Sequence, residues 1–101
     1  MSVQLQFMVD FTLPYSMTQE FFDLVPEQRA IVNEYFATGK LASYTLSLEH
    51  AKLWAVFNAN NEREVFDLIA AFPMTKFMEF KVYPLTFHQT IENSVMTFSL
   101  N

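Results

Sequence analysis

Apolar and polar residues alternate from Val3 to Leu13, with Leu5, Phe7, Val9, Phe11 and Leu13 on one side and Gln4, Gln6, Met8, Asp10 and Thr12 on the other. A period of two puts successive side chains on opposite faces of a strand. Pro14, which cannot donate to a ladder, ends it. The pattern then turns helical. Thr18 can cap a short segment containing Phe21, Phe22, Leu24 and Val25, Pro26 breaks it or opens a new first turn, and Ile31, Val32, Tyr35 and Phe36 form an amphipathic stripe. Gly39 is the sole glycine of the chain. It stands just past that stripe, where a left-handed residue commonly closes a helix.

The middle of the sequence reads as a hairpin. In Leu41–Leu48, Ala42, Tyr44, Leu46 and Leu48 alternate with Leu41, Ser43, Thr45 and Ser47; Glu49-His50-Ala51 makes the turn, and Leu53–Ala59 returns. Asn60 or Asn61 caps a second helix, Asn61 with Glu64 having capping-box spacing. The buried face of that helix is Val65, Phe66, Leu68, Ile69 and Phe72, and Pro73 stops it. Phe77–Tyr83 gives a fourth strand, with Met78, Phe80 and Val82 opposed to Phe77, Glu79, Lys81 and Tyr83. Alternation returns at Val95–Leu100, within a C-terminal arm of about residues 88–101 that could add to a neighbour's sheet.

Strand, helix, strand, turn, strand, helix, strand predicts an α+β fold. It is the ferredoxin-like split β-α-β arrangement, a four-stranded antiparallel sheet with two helices on one face. No linker divides residues 1–101, so one domain is expected. If the apolar side of the first strand meets the helices, the other face shows Gln6, Met8, Asp10, Thr12, Ser43, Thr45, Glu79, Lys81, Tyr83 and, by parity, Trp54, Val56 and Asn58. That face is too mixed for a core. Two such faces packed together would give a dimeric α+β barrel with a semi-polar interior.

Composition strengthens the expectation of self-association. Hydrophobic residues make up 51% of 101 residues and charged ones only 17%, more apolar surface than one small subunit readily hides. A net charge of −5, with six scattered basic residues, argues against nucleic acid. No apolar run is long enough to span a membrane, and the first residues alternate as a strand and not as a leader. With no cysteine there is neither disulfide nor thiolate chemistry. A cytoplasmic location fits.

One glycine excludes phosphate-cradling turns, and His50 and His88 lack zinc-ligand spacing, so neither cofactor nor metal is expected. Asp10 is the first candidate for catalysis. A mid-strand carboxylate on a covered face is desolvated and becomes a stronger base, although pairing with Lys81 or with a partner-chain group would make it structural. His88, after the last core strand, is the second candidate, histidine being the usual proton carrier near neutral pH. Thr12, Tyr44, Trp54, Glu79 and Lys81 are the candidate substrate contacts. His50 belongs to the exposed turn.

The stretches FMVDFTLP, the helix end GK, the strand pair SYTLS and LWAVFNA, and FPMTKFMEFKVYPLTFHQTI together resemble muconolactone isomerases, over residues 4 to about 91. The resemblance implies small ferredoxin-like subunits that pair into α+β barrels. Such enzymes move a proton around an unsaturated lactone in aromatic-compound degradation, without metal or organic cofactor, and His88 matches the histidine after the family's last strand. The family tends to carry basic residues after its glycine and an arginine just before that histidine. Here stand Ala42, Tyr44, Leu46 and Phe87, so cations that would hold a carboxylated lactone are lost. Two other readings stay open: a non-catalytic barrel binding a small apolar molecule, and a cofactor-free monooxygenase of the same architecture, the latter by fold analogy alone.

Overall fold

The computed structural model describes residues 4–91. The first alternating run forms β1 (Leu5–Thr12), with Phe7, Val9 and Phe11 buried against the helices. β2 (Leu41–Ser47) and β3 (Lys52–Ala59) form the hairpin, and β4 (Glu79–Pro84) closes the set. The order is β2-β3-β1-β4, antiparallel throughout. This is the ferredoxin-like sheet, with β1 and β3 at its centre.

The interrupted helical run resolves into α1 (Gln19–Asp23) and α2 (Val25–Ala37), which meet at Leu24. Thr18 caps α1 by accepting the Phe21 N–H at 3.2 Å. Pro26 sits in the first turn of α2, where its missing N–H leaves no bond unmade. α2 ends at Gly39, whose φ is +76°. The Gly39 N–H reaches the Phe36 carbonyl at 3.2 Å and the Lys40 N–H the Tyr35 carbonyl at 2.8 Å, the paired bonds of a Schellman closure. The Asn58 side-chain amide then donates to the Gly39 carbonyl at 2.9 Å, tying the helix end to β3.

α3 (Glu62–Ala70) starts at Asn61, whose side chain accepts the Glu64 N–H at 2.8 Å. Glu64 returns a bond to the Asn60 N–H at 2.7 Å, so the box is made with both asparagines. Val65, Leu68, Ile69 and Phe72 are buried as expected, but Phe66 is 44% exposed. It leans on Phe80, the ring centroids 5.8 Å apart. Phe77 belongs to a 3₁₀ turn, Thr75–Phe77, rather than to the last strand.

All three helices share one cluster with the inner side of the sheet, including Phe21 of α1, Val32 and Tyr35 of α2, and Val65 and Ile69 of α3. Phe72 is its hub, with ring centroids 5.4 Å from Tyr35, 6.1 Å from Phe57 and 6.4 Å from Tyr44. The Tyr35 hydroxyl donates to the Leu68 carbonyl at 2.7 Å, fastening α2 to α3.

Two departures from regular alternation shape the hairpin. Between Leu41, opposite Phe57, and Ser43, opposite Val56, the register slips by one residue. Ala42 is therefore a bulge, and it turns Leu41 inward with Tyr44 instead of outward with Ser43. At the other end, the turn after β2 puts Ala51 at φ 54°, a conformation that costs a non-glycine residue energy. Two hydrogen bonds oppose that cost: the Ala51 N–H to Leu48 at 3.1 Å, and the Leu13 N–H to the Ala51 carbonyl at 2.9 Å. The strand expected at Val95–Leu100, and with it the C-terminal arm, lies outside the described residues.

Candidate functional site

Strand register gathers the polar candidates on the sheet face away from the helices. Asp10 stands between Trp54 of β3 and Lys81 of β4, and Thr12 between Lys52 and Glu79. Met8, Val56 and Tyr83 form the next row. Asp10, Thr12, Lys52, Glu79, Lys81 and Tyr83 line a depression of about 490 Å³. The face is not bare in the single chain: Val56 is fully buried and Asp10, Thr12 and Trp54 are half-buried.

The partner of Asp10 is Lys52, not Lys81. The Lys52 ammonium lies 3.2 and 3.4 Å from the two carboxylate oxygens and donates to the Thr12 hydroxyl at 2.9 Å. It reaches diagonally across the β1–β3 pair, a span that a long side chain covers. Asp10 and Lys52 side chains keep 26% and 32% exposure, so the chain by itself does not enclose the carboxylate. Sequence reading leaves Lys52 between the Glu49-His50-Ala51 turn and the Leu53–Ala59 run and so does not name it, whereas it begins β3. Its position two residues before Trp54, with the same parity, carried the signal.

Tyr44 lies elsewhere. It is opposite Ala55, on the helix side of the sheet, so it cannot share a site with Trp54. There it lines a second cavity of about 440 Å³ between α1, α2 and the β2–β3 hairpin, whose walls include Leu13, Phe21, Val25, Val32, Leu53 and Met74. Gln28, only 4% exposed, accepts the Met74 backbone N–H at 3.3 Å and donates to the Tyr44 hydroxyl at 3.2 Å. Burial raises the Tyr44 phenol above its usual 10.0, and the Gln28 bond partly opposes this. Gln28 is the site residue that sequence reading did not name. It stands one turn before Val32 and two before Tyr35, on the buried stripe of α2.

His88 is half-buried and lines neither cavity. Its Nε2 is buried, with no hydrogen-bond partner among the described residues. Among the described residues no group of three or more His, Cys, Asp or Glu could hold a metal ion, and no helix is long and apolar enough to cross a membrane.

The family model for muconolactone delta-isomerase matches residues 5–90, a span that includes every described strand and helix. The chain belongs to the muconolactone delta-isomerase family. No curated protein matches it. Among solved structures, the crystal structure of muconolactone isomerase is similar, with a TM-score of 0.68 over 85% of this chain and 93% of that one, at 19% sequence identity. At that identity the likeness shows the shared fold. Tyr44 and Leu46 face the helix-side cavity, whose lining also includes Arg29 and Asn33. The lysines next to Asp10 stand on the opposite face of the same sheet.

Proposed function

We propose that this chain is a cofactor-independent isomerase that moves a proton beside the carbonyl of a small unsaturated lactone or related carbonyl compound. The observation that carries this reading is Asp10, held by Lys52 at 3.2 Å within a depression that Lys81, Glu79, Thr12 and Tyr83 also line. The Asp10 carboxylate can accept a proton from the carbon next to the carbonyl. Negative charge then grows on the carbonyl oxygen, where the ammonium groups of Lys52 and Lys81 supply the opposing charge. The same carboxylate returns the proton at the far end of the conjugated system, and no bond to the protein forms. Trp54 offers a flat apolar wall beside Asp10, and His88 is the alternative proton carrier.

In this reading the chain is one ferredoxin-like domain that pairs with a second copy through the sheet faces. Pairing excludes water from the depression and strengthens each charge in it. The site substitution is Asp10→Asn, which keeps the shape and removes the proton acceptor. Turnover of muconolactone or a close unsaturated lactone should fall by roughly 10²-fold or more. Unchanged turnover in a folded Asp10→Asn protein would end the assignment of Asp10 and leave His88 to be tested in the same way.

A second reading, a barrel that holds a small apolar molecule without turning it over, is favoured by the helix-side cavity, which no carboxylate or histidine of the described residues lines. Absence of turnover of any unsaturated lactone by the wild-type protein would select it.

A further inference from the structure

The charges of this chain are sorted between its two layers. α1 and α2 carry Glu20, Asp23, Glu27 and Glu34 against Arg29, and on α3 Arg63 stands among Glu62, Glu64 and Asp67. Two such helix layers repel each other. The outer face of the sheet is balanced instead, Asp10 and Glu79 against Lys52 and Lys81. Among the described residues Lys52–Asp10 is the only ion pair. Glu79 and Lys81, both exposed and two residues apart on β4, have no ion-pair partner among the described residues.

We propose that β4 of one subunit lies antiparallel across β4 of a second copy, with Glu79 bound to the partner's Lys81 and Lys81 to the partner's Glu79. The proposal rests on pairing through the sheet faces and assigns the axis of that pairing. A two-fold contact is self-complementary, and an acid and a base at i and i+2 satisfy it when two strands run in opposite directions. Facing sheets lie about 10 Å apart, a gap that glutamate and lysine side chains close between them. The axis must then cross the strands between the row Asp10, Trp54, Lys81 and the row Thr12, Lys52, Glu79. The same axis sets Asp10 opposite the partner's Thr12 and Lys52 opposite the partner's Trp54, so no like charges meet. Moved onto either row, it would set Asp10 and Lys81, or Lys52 and Glu79, against their own copies. Turned parallel to the strands, it would lay β4 over the partner's β2, where the partner's Ser43, Thr45 and Ser47 carry no charge. Glu79 and Lys81 would then be covered without partners, at a cost. Because Glu79 and Lys81 line the depression beside Asp10, the partner supplies part of its wall. A lysine ammonium has three donors, so Lys81 can hold the partner's Glu79 and still face the depression.

Charge reversal tests this register. Glu79→Lys and Lys81→Glu each set like charges face to face, and each should weaken the homodimer about tenfold or more in sedimentation equilibrium at low salt. Added salt should weaken the wild-type dimer and strengthen both variant dimers, because it screens attraction in one and repulsion in the others. Mixed one to one, the two variants should pair with each other at close to wild-type affinity, since both ion pairs are restored. Isotope labelling of one variant lets native mass spectrometry separate mixed from like dimers, and recovery in the mixture also shows that both variants are folded. Should either reversal fail to fold, Glu79→Gln and Lys81→Gln remove the charge alone, and each should weaken the dimer about threefold. Wild-type affinity in both single variants overturns the proposal and leaves sheet-face pairing standing, with β4 over the partner's β2. Mixing without preference for the mixed dimer overturns it as well. A monomeric wild type overturns the proposal together with the pairing on which it rests.

Discussion

Replacing Gln28 by leucine removes the one polar or charged residue buried with the core among the described residues, and its cost can be worked from its two bonds. Leucine is close in volume and apolar, so the exchange opens no large cavity. What it leaves is the Met74 N–H without its acceptor at 3.3 Å, in a residue that is only 8% exposed. A buried donor stranded in this way costs about 1–3 kcal/mol. The bond to Tyr44 adds less, because a half-buried hydroxyl can turn to water. Gln28→Leu should therefore destabilise by about 2 kcal/mol, with a fall in Tm on the order of 10 °C for a domain this size. Tyr44→Phe, which strands only the amide of Gln28, should cost about 1 kcal/mol or less. Urea titration with fitted m-values measures both, and an unchanged m shows that the denatured state has not shifted. A Gln28→Leu protein within about 0.5 kcal/mol of wild type, the usual scatter of surface substitutions, would show that the bridge contributes nothing to stability.

The other expectations concern pH, the helix end and assembly. Tyr35 and Tyr44 both have phenols raised above 10.0 by desolvation, with Glu34 adding to the effect on Tyr35. The folded state holds those protons more tightly than the unfolded one, so their stabilisation is intact below pH 10 and is lost as pH rises above it. Tyr44→Phe should flatten that alkaline decline in urea titrations run across the range, and an unaltered slope would refute the contribution of Tyr44. Gly39→Ala places no atom within 4 Å of a new Cβ, so its cost is conformational. About 1–2 kcal/mol for the left-handed backbone, less the entropy that alanine removes from the unfolded chain, leaves about 1 kcal/mol. A neutral change in urea midpoint would contradict it. Sedimentation equilibrium at micromolar concentration should find a dimer or a multiple of one, and a stable monomer would refute pairing through the sheet faces.

Much of the fold was legible because parity survives in β1, β3 and β4. Phe7, Val9 and Phe11 go inward and Asp10 and Thr12 outward, as their spacing requires. Parity failed where the backbone departed from regularity. The bulge at Ala42 turns Leu41 inward, and nothing in LASYTLS announces it, alanine being tolerated in strand and bulge alike. Alternation gives Tyr44 the opposite parity to Ser43 and Thr45, but deciding whether it shares a face with Trp54 requires comparing two strands, which spacing alone does not fix. Lys52 and Gln28 escaped for related reasons. A lysine beside a turn and a glutamine in a helix are usually solvated, and only register and burial give them partners.

The two outer strands of the sheet are defended unequally, and this bears on how the protein would misassemble. β4 ends in Pro84 and carries Glu79 and Lys81, features that discourage another chain from adding to an edge. β2 has no charged residue, and its only irregularity is the bulge at one end, while Leu46 and Leu48 lie open at the other. Among the described residues no strand pairs with the free edge of β2, so at the concentrations reached during overproduction it is the edge to which a nascent chain can add. Aggregates should then be stitched together along that strand, and a lysine at position 46 is the smallest change that would protect it.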